Sequence, residues 1–472
     1  MQQQYNLALD RYSIAGVHFE NVSLLFAPVG GVHSVLAPLP LPEIDSTPFA
    51  IRQDLQKCSL NMGMDAETLD NASDALTNVT EKAVIFLRAI RSTVPSTFNA
   101  DYRSPCWSAD VVITKTFELA MLQFLSPGVK KELPIHYVNM LARHMLQGVG
   151  HRPKPFFCLP YFFIAGFPKS GTTSLDHALR RHPQIAGAFR KEIHWWTRIP
   201  HVGEPGYNSD YARLVVMNYL LNFRKASEKI EQHIKSITYD GSQSTLWDSN
   251  FFVHQQDYCA MPAVLSRVLP KAKFIVLMRN PVTRVYSHYL WSCAFSFGND
   301  SSKWPDEMQQ GVSDYFHTQV VTAIEYFKQC LKRMSLFECT NVMRFKDFYG
   351  FSRNNAHCGD VGFRLSIGLY YVHLSKWLHF YSKDHFLFLK MEDMSEDPYS
   401  LMVKITEFLE LGPVSKEWVT ESFAKKVNAQ HIITGEDPIM QSRTRELLED
   451  FYKPYNSLLA ALVADNRFLW QN

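Results

Sequence analysis

Gly166 to Leu175 reads GFPKSGTTSL, placing two glycines, a lysine and a run of hydroxyls between an apolar stretch and a helical one. Residues of these types in this order suit an anion. Successive backbone N–H groups and a helix N-terminus form a cradle for phosphate. Lys169 adds a mobile point charge, and Ser170, Gly171, Thr172, Thr173 and Ser174 supply amides and hydroxyl donors. A plain β–α turn with a helix cap would not require the strand, glycines, lysine and hydroxyls to occur together. A nucleotide kinase loop would need Lys directly after the last Gly, followed by Ser or Thr to hold magnesium. Here Thr172 follows Gly171 and Lys169 precedes that glycine, so the magnesium-holding pattern is broken and metal-independent chemistry is expected.

A second anion site is read in residues 273–289, KFIVLMRNPVTRVYSHY. Arg279 ends an apolar run, and Ser287 lies in the helix that Pro281 opens. Together they could grip one phosphate through charge-assisted bonds. The competing reading pairs Arg279 with a carboxylate at a sheet edge. Between the two segments lies KEIHWWTR, Lys191 to Arg198. Glu192 and His194, followed by Trp195, fit a base, a polar partner and a sugar-stacking wall. The bland alternative is a buried Trp pair behind a solvated Lys-Glu. Asp240 to Asn250, DGSQSTLWDSN, would by itself be a Ser-rich loop, and lone histidines such as His288 and His373 are read as packed.

The first two segments together resemble the nucleotide-binding motifs of the sulfotransferase family, whose donor is 3′-phosphoadenosine 5′-phosphosulfate (PAPS). The resemblance implies that GFPKSGTTSL contacts the 5′-phosphosulfate while Arg279 and Ser287 hold the 3′-phosphate. It further implies that Glu192 is catalytic, with Lys169 and His194 beside it, and that Trp195, Ser244 and Thr245 face the acceptor. Many relatives have Pro where this chain has Ile193. Arg364 to Trp377 and Leu389 to Pro398 also resemble family segments and are read as scaffold. The similarity runs from about Tyr161 to Trp470. Within the Golgi carbohydrate sulfotransferases, KEIHWWTR, STLWDSN and the terminal RTRELLEDFYKPYNSLLAALVADNRFLW are most similar to N-acetylgalactosamine 4-sulfate 6-O-sulfotransferases. Those enzymes are membrane-anchored, work in the Golgi lumen and act on chondroitin-type chains, so a sulfated glycosaminoglycan or other glycan is the implied acceptor. The rival classes are a P-loop nucleotide kinase and an inactive binder of sulfated glycans; Lys169 and Glu192 together speak against the latter.

Apolar runs at Tyr161–Ala165, Ile237–Asp240, Lys273–Met278 and Phe386–Met391 read as strands. Helices are expected over Thr172–Arg181, Pro281–Cys293, Tyr315–Met334, Ser366–Tyr381, Pro398–Leu409 and Ser442–Val463. The alternation predicts a three-layer, P-loop-like α/β fold with a central parallel sheet flanked by helices. Its site is expected at the carboxyl ends of the strands. Residues 156–472 form the expected catalytic domain. Residues 1–155 form an N-terminal extension with candidate helices near Ala66–Arg91 and Ile135–Gln147, and His151–Pro160 reads as a linker.

The 472 residues are 46% apolar and 13% aromatic, enough for a sizeable core. Lys and Arg number 48 against 46 Asp and Glu. That balance argues against a nucleic-acid binder but permits a local basic cleft. Val22 to Leu41 is uncharged yet broken by Pro28, Gly30, Gly31, Pro38 and Pro40, so no membrane segment is read in this chain. Residence in the Golgi lumen would then need an anchor outside it. Sequons at Asn21, Asn71, Asn78 and Asn299 and an even eight cysteines fit a glycosylated lumenal protein, the cysteines reading either as disulfides or as plain buried thiols. Without CxxC spacing or a Cys/His cluster, structural zinc is not expected. Cys330 with Cys339 is the candidate disulfide, and Cys339 with Cys358 the alternative.

Overall fold

In the computed structural model, the apolar runs Phe162–Ile164, Ile237–Asp240 and Lys273–Met278 become strands almost wholly buried on both faces, where no solvent-facing alternation is needed. The structure describes residues 86–108, 156–198, 209–248, 260–298, 306–349, 364–424 and 440–471. All of them belong to one compact unit, Pro48–Asp110 with Phe156–Asn472. The helix expected at Ile135–Gln147, the stretch Val22–Leu41 and the four sequons lie outside the described residues, as does all but the end of Ala66–Arg91.

Strand β1 (Cys106–Ser108) pairs antiparallel with β2 (Phe156–Cys158), and a Cys106–Cys158 disulfide joins them across 52 residues of sequence. The reading of His151–Pro160 as a linker is therefore corrected for its second half. Phe156 and Phe157 are taken up by packing on Tyr102 and Trp107.

The main sheet comprises β3 (Phe162–Ile164), β4 (Ile185–Gly187), β5 (Ile237–Asp240), β6 (Lys273–Met278) and β7 (Phe386–Lys390), in the order β4-β5-β3-β6-β7. Every neighbouring pair is parallel, with Phe162 opposite Tyr239, Phe163 opposite Phe274 and Val276 opposite Phe388. Four of these strands follow the sequence expectation to within a residue at each end. The fifth, β4, is missing from it: three residues ending in glycine carry too little pattern. From β3 the chain crosses toward β4, whereas from β6 it moves toward β7. The carboxyl ends of β3 and β6 therefore flank a topological switch point.

Alternation along β3 separates the two covering layers. On one face, Phe162 and Ile164 join Leu175 and Leu179 of α1 (Thr172–Leu179) in the main core cluster. Next come α2 (Ser209–Leu221), α3 (Arg224–Gln232), α4 (Ala260–Val268), α5 (Pro281–Phe297), α6 (Asp306–Leu331) and α7 (Leu336–Tyr349). On the other face, Phe163 stacks on Phe274, which meets Trp377 of α8 (Tyr370–Leu378) edge-on. The chain closes with α9 (Met391–Glu396), α10 (Pro398–Phe408), α11 (Lys416–Phe423) and α12 (Ser442–Val463). Leu401, Met402 and Ile405 of α10 and Val419 of α11 pack on the first face. The single helix expected over Ser366–Tyr381 is instead a 3₁₀ turn at Ser366–Gly368 and then α8, broken at Leu369.

Cys330 and Cys339 are bonded, closing the turn between α6 and α7. Cys293 is bonded as well, so all the cysteines among the described residues are in disulfides. No helix among the described residues is long and apolar enough to cross a membrane.

Candidate active site

The chain stays hydrogen-bonded to β6 beyond the end of β3. Ala165 N–H donates to Ile275 O at 3.0 Å and Phe167 N–H to Leu277 O at 2.9 Å. Then it turns sharply through two left-handed residues, Lys169 (φ 64°) and Gly171 (φ 84°). Gly171 is required on two counts: its backbone is left-handed, and a Cβ there would lie 2.5 Å from Met394 Cε. As the N-cap of α1, Gly171 offers no side-chain cap, and the first turn carries no acid. The first helical bond of the loop runs from Leu175 N–H to Gly171 O at 3.1 Å. The amides of Gly171, Thr172 and Thr173 precede it and point along the positive end of the helix, the arrangement that receives an anion. Ser170 is buried beneath this turn, while Thr173 and Ser174 are half-buried on it.

Burial and the neighbouring Arg279 cation bring the Lys169 pKa down to about 8. Arg279, just beyond the end of β6, donates from Nη1 to Lys169 O at 3.3 Å and from Nε to Thr283 Oγ1 at 3.0 Å. The loop after β3 and the strand end of β6 thus meet directly. Among the described residues Arg279 forms no salt bridge, although the Glu392 carboxylate is near enough to favour its charge. Asn280 caps α5 by accepting from Val282 N–H at 3.0 Å, with Pro281 in the first turn. Thr283 and the half-buried Ser287 are one turn apart and share a face of α5.

Glu392 of α9 was read only as scaffold, and it touches this site: its Oε1 accepts from Asn280 N–H at 2.8 Å. Tyr370 OH donates to Arg279 O at 2.8 Å. His288 and His373 are buried, as expected. Burial, then the Arg364 and Arg284 cations, pushes the His288 pKa far below the usual imidazole range.

Two further left-handed residues, Glu192 (φ 59°) and His194 (φ 55°), shape the segment after β4. Lys191 Nζ donates to Glu192 Oε1 at 2.5 Å, and it also reaches Thr173 Oγ1 at 3.2 Å and Thr172 Oγ1 at 3.5 Å in the first turn of α1. This lysine, to which the sequence reading gave no role, links the loop after β3 to the carboxylate. Burial pushes the Glu192 pKa up, but the facing His194 imidazole and the Lys191 ammonium outweigh it and bring it to about 2. His194 Nε2 lies 3.6 Å from Glu192 Oε2. Burial, with Arg198 adding to it, pushes His194 below the usual imidazole range despite Glu192. The neutral ring is satisfied if Ser244 donates to Nδ1, 2.7 Å away, and Nε2–H faces the carboxylate. Thr197 Oγ1 lies 2.8 Å from Ser244 Oγ and extends the chain.

Trp195, Ser244 and Thr245, expected to face the acceptor, are all buried. Trp195 is buried, stacked on Tyr219 at 4.5 Å, with its indole N–H on Val215 O at 3.0 Å. Trp196 donates to Tyr219 OH at 2.8 Å. The pair is a floor under the segment and not an exposed sugar-stacking wall. Ser244 is buried against His194, and Thr245 is buried with its hydroxyl on Ser242 O at 2.7 Å. Beneath them Asp240, at the end of β5, accepts from Ser242 N–H (2.9 Å), Ser242 Oγ (2.5 Å) and Tyr219 OH (2.9 Å). Ser242 Oγ in turn accepts from His194 N–H at 2.8 Å.

An uncapped helix start, a half-buried lysine and a strand-end arginine on one side, and an ionised carboxylate on the other, form an arrangement suited to an anionic nucleotide on an α/β fold. Comparison with known proteins gives the family. Residues 159–431 match the sulfotransferase domain model. The human protein named carbohydrate sulfotransferase 15 is 31% identical over 412 residues, covering 80% of this chain and 67% of its own. Human heparan sulfate glucosamine 3-O-sulfotransferase 6 is 24% identical over 63% of this chain and 70% of its own. A crystal structure of a sulfotransferase from Alicyclobacillus acidocaldarius covers 65% of this chain and 96% of its own, at 18% identity and a TM-score of 0.36. The chain belongs to the carbohydrate sulfotransferase family and is a sulfotransferase.

Proposed function

We propose that the protein transfers the sulfuryl group of PAPS to the 6-hydroxyl of N-acetylgalactosamine 4-sulfate in chondroitin- or dermatan-type glycosaminoglycan, in the Golgi lumen. The observation that carries this reading is Lys191. Its ammonium is shared between Glu192 and the first-turn hydroxyls of α1, so an acceptor at the carboxylate stands next to a donor in the loop. The acceptor assignment is supported by the resemblance of KEIHWWTR and STLWDSN and by the carbohydrate sulfotransferase relatives.

In this reading the loop amides and Lys169 hold the 5′-phosphosulfate, and Arg279 with Ser287 holds the 3′-phosphate. Glu192 takes the proton of the acceptor hydroxyl as that oxygen bonds to sulfur. The bond from sulfur to the bridging oxygen breaks, and Lys169 and the loop amides stabilise the charge left on the departing phosphate. His194, fixed by Ser244 and Thr197, holds Glu192 in its orientation.

The test is transfer of labelled sulfate from PAPS to a panel of glycosaminoglycans, with EDTA present. Label is expected on chondroitin 4-sulfate, at the 6-position of N-acetylgalactosamine. A strict magnesium requirement would point to kinase chemistry instead. The donor side is tested with Arg279→Ala, which should weaken binding of adenosine 3′,5′-bisphosphate by about 1.5–3 kcal/mol. Adenosine 5′-phosphate, lacking the 3′-phosphate, should bind both proteins alike. Equal losses for the two nucleotides would make Arg279 structural.

A further inference from the structure

Phe189 is the most exposed large hydrophobic side chain among the described residues, at 63%. Scattered apolar side chains on a surface need no explanation. What distinguishes Phe189 is its place. Ile234 precedes β5, at the opposite end of the sheet, and Val321 and Met334 belong to α6 and the turn after it. Phe189 alone among the four follows the carboxyl end of a sheet strand, β4, at the end where the phosphate loop opens.

Its exposure does not come from a loose chain. Arg180 Nη1 donates to Ala188 O at 2.8 Å, and Phe189 N–H donates to Asn222 O at 2.7 Å. The backbone is therefore tied on both sides of an aromatic ring left in water. Arg190 follows, exposed and without an ion pair among the described residues. Lys191 comes next and reaches the first turn of α1, and Glu192 follows it. Three residues extend at most about 10–11 Å, so Phe189 lies within the reach of a short oligosaccharide from the Glu192 carboxylate.

We propose that Phe189 and Arg190 form an acceptor subsite for an anionic glycan, an inference that rests on the glycan-sulfating function above. The Phe189 ring stacks on the apolar C–H face of a sugar neighbouring the one that is sulfated. The Arg190 guanidinium pairs with a sulfate or carboxylate on the same chain. This pair takes the place that the sequence reading gave to Trp195, which is buried.

The experiment uses the full chain with saturating PAPS and chondroitin 4-sulfate as the polymeric acceptor. Phe189→Ala should raise KM for the polymer by about threefold to tenfold, the range of an aromatic contact. Phe189→Tyr should restore it. kcat, the affinity for adenosine 3′,5′-bisphosphate and Tm should stay at wild-type values. Arg190→Ala should raise KM at low salt and make it less sensitive to added salt. A Phe189→Ala KM within error of wild type, with wild-type transfer intact, would overturn the subsite alone. No transfer to any glycan by the wild-type protein would overturn the function on which the subsite rests.

Discussion

Glu192 is held ionised by Lys191 and His194 down to a pKa of about 2, which constrains how it can act. So acidic a carboxylate is a weak proton acceptor until part of that field is lifted. An anion in the loop would do this by claiming a share of the Lys191 ammonium, which already touches Thr172 and Thr173. Glu192→Gln keeps the size and removes the proton acceptor, so kcat should fall by roughly 10²–10⁴-fold. Affinity for adenosine 3′,5′-bisphosphate and Tm should hold; near-normal turnover would pass the role to His194. Lys169 gives a complementary pH signature. Its ammonium, with a pKa of about 8, is charged at neutral pH and discharges as pH rises through 8. Calorimetric titration with the bisphosphate between pH 7 and 9.5 should show affinity falling above pH 8, by up to about tenfold per unit. Lys169→Gln should bind weakly at every pH and lose that slope.

Among the elements, the loop from β5 into the buried Ser242–Thr245 turn supports the Glu192 segment from below. The Asp240 carboxyl takes three hydrogen bonds, and through Ser242 and Tyr219 it fixes both His194 and Trp196. Asp240→Asn leaves one of those donors facing an amide N–H₂, a loss of about 1–3 kcal/mol in stability. Because the displaced segment carries Glu192, kcat should also drop while bisphosphate affinity is unchanged, a split that stopped-flow and binding measurements can separate. A purely structural Asp240 would lower Tm and leave kcat per folded molecule at its wild-type value. None of this support could be read from DGSQSTLWDSN, whose hydroxyls look solvent-ready until Asp240, His194 and Thr197 are seen bonded to them. By contrast, β6 and α12 were legible to the residue, because a six-residue apolar run and a 22-residue periodic segment each carry their pattern internally. The GFPKSGTTSL loop was legible for the same reason: its strand, turn and helix are contiguous. What escaped depends on distant partners. β1 needs β2, and Glu392 meets Asn280 from 112 residues away. Three-residue β4, and with it the exposure of Phe189, shows only once β5 is alongside.

At the scale of the whole molecule, two disulfides fasten very different lengths of chain. Cys106–Cys158 spans 52 residues and Cys330–Cys339 spans 9. On chain entropy alone the first should stabilise by about 4 kcal/mol and the second by about 2.5 kcal/mol. Differential scanning calorimetry of the paired alanine variants should therefore show the larger drop in Tm for Cys106→Ala with Cys158→Ala. The order would reverse if the residues before β1 contributed little to the folded state. The long span also ties residues 86–108 to the strand that leads into β3, and Phe86 packs on Trp195 beneath the Glu192 segment. Loss of this bridge should thus depress activity before it unfolds the sheet.

Lys169, Glu192 and His194 all adopt the left-handed backbone, and none is glycine. An L-residue there carries a penalty of about 1–2 kcal/mol that glycine, and to some extent asparagine, avoids. The three side chains to which the proposed mechanism gives chemical roles therefore sit where the fold would favour other residues. Selection for heat resistance alone would push these positions toward glycine or asparagine and would enrich inactive proteins. A thermostable form of this enzyme should be sought by holding these three residues fixed and letting the rest of the chain vary.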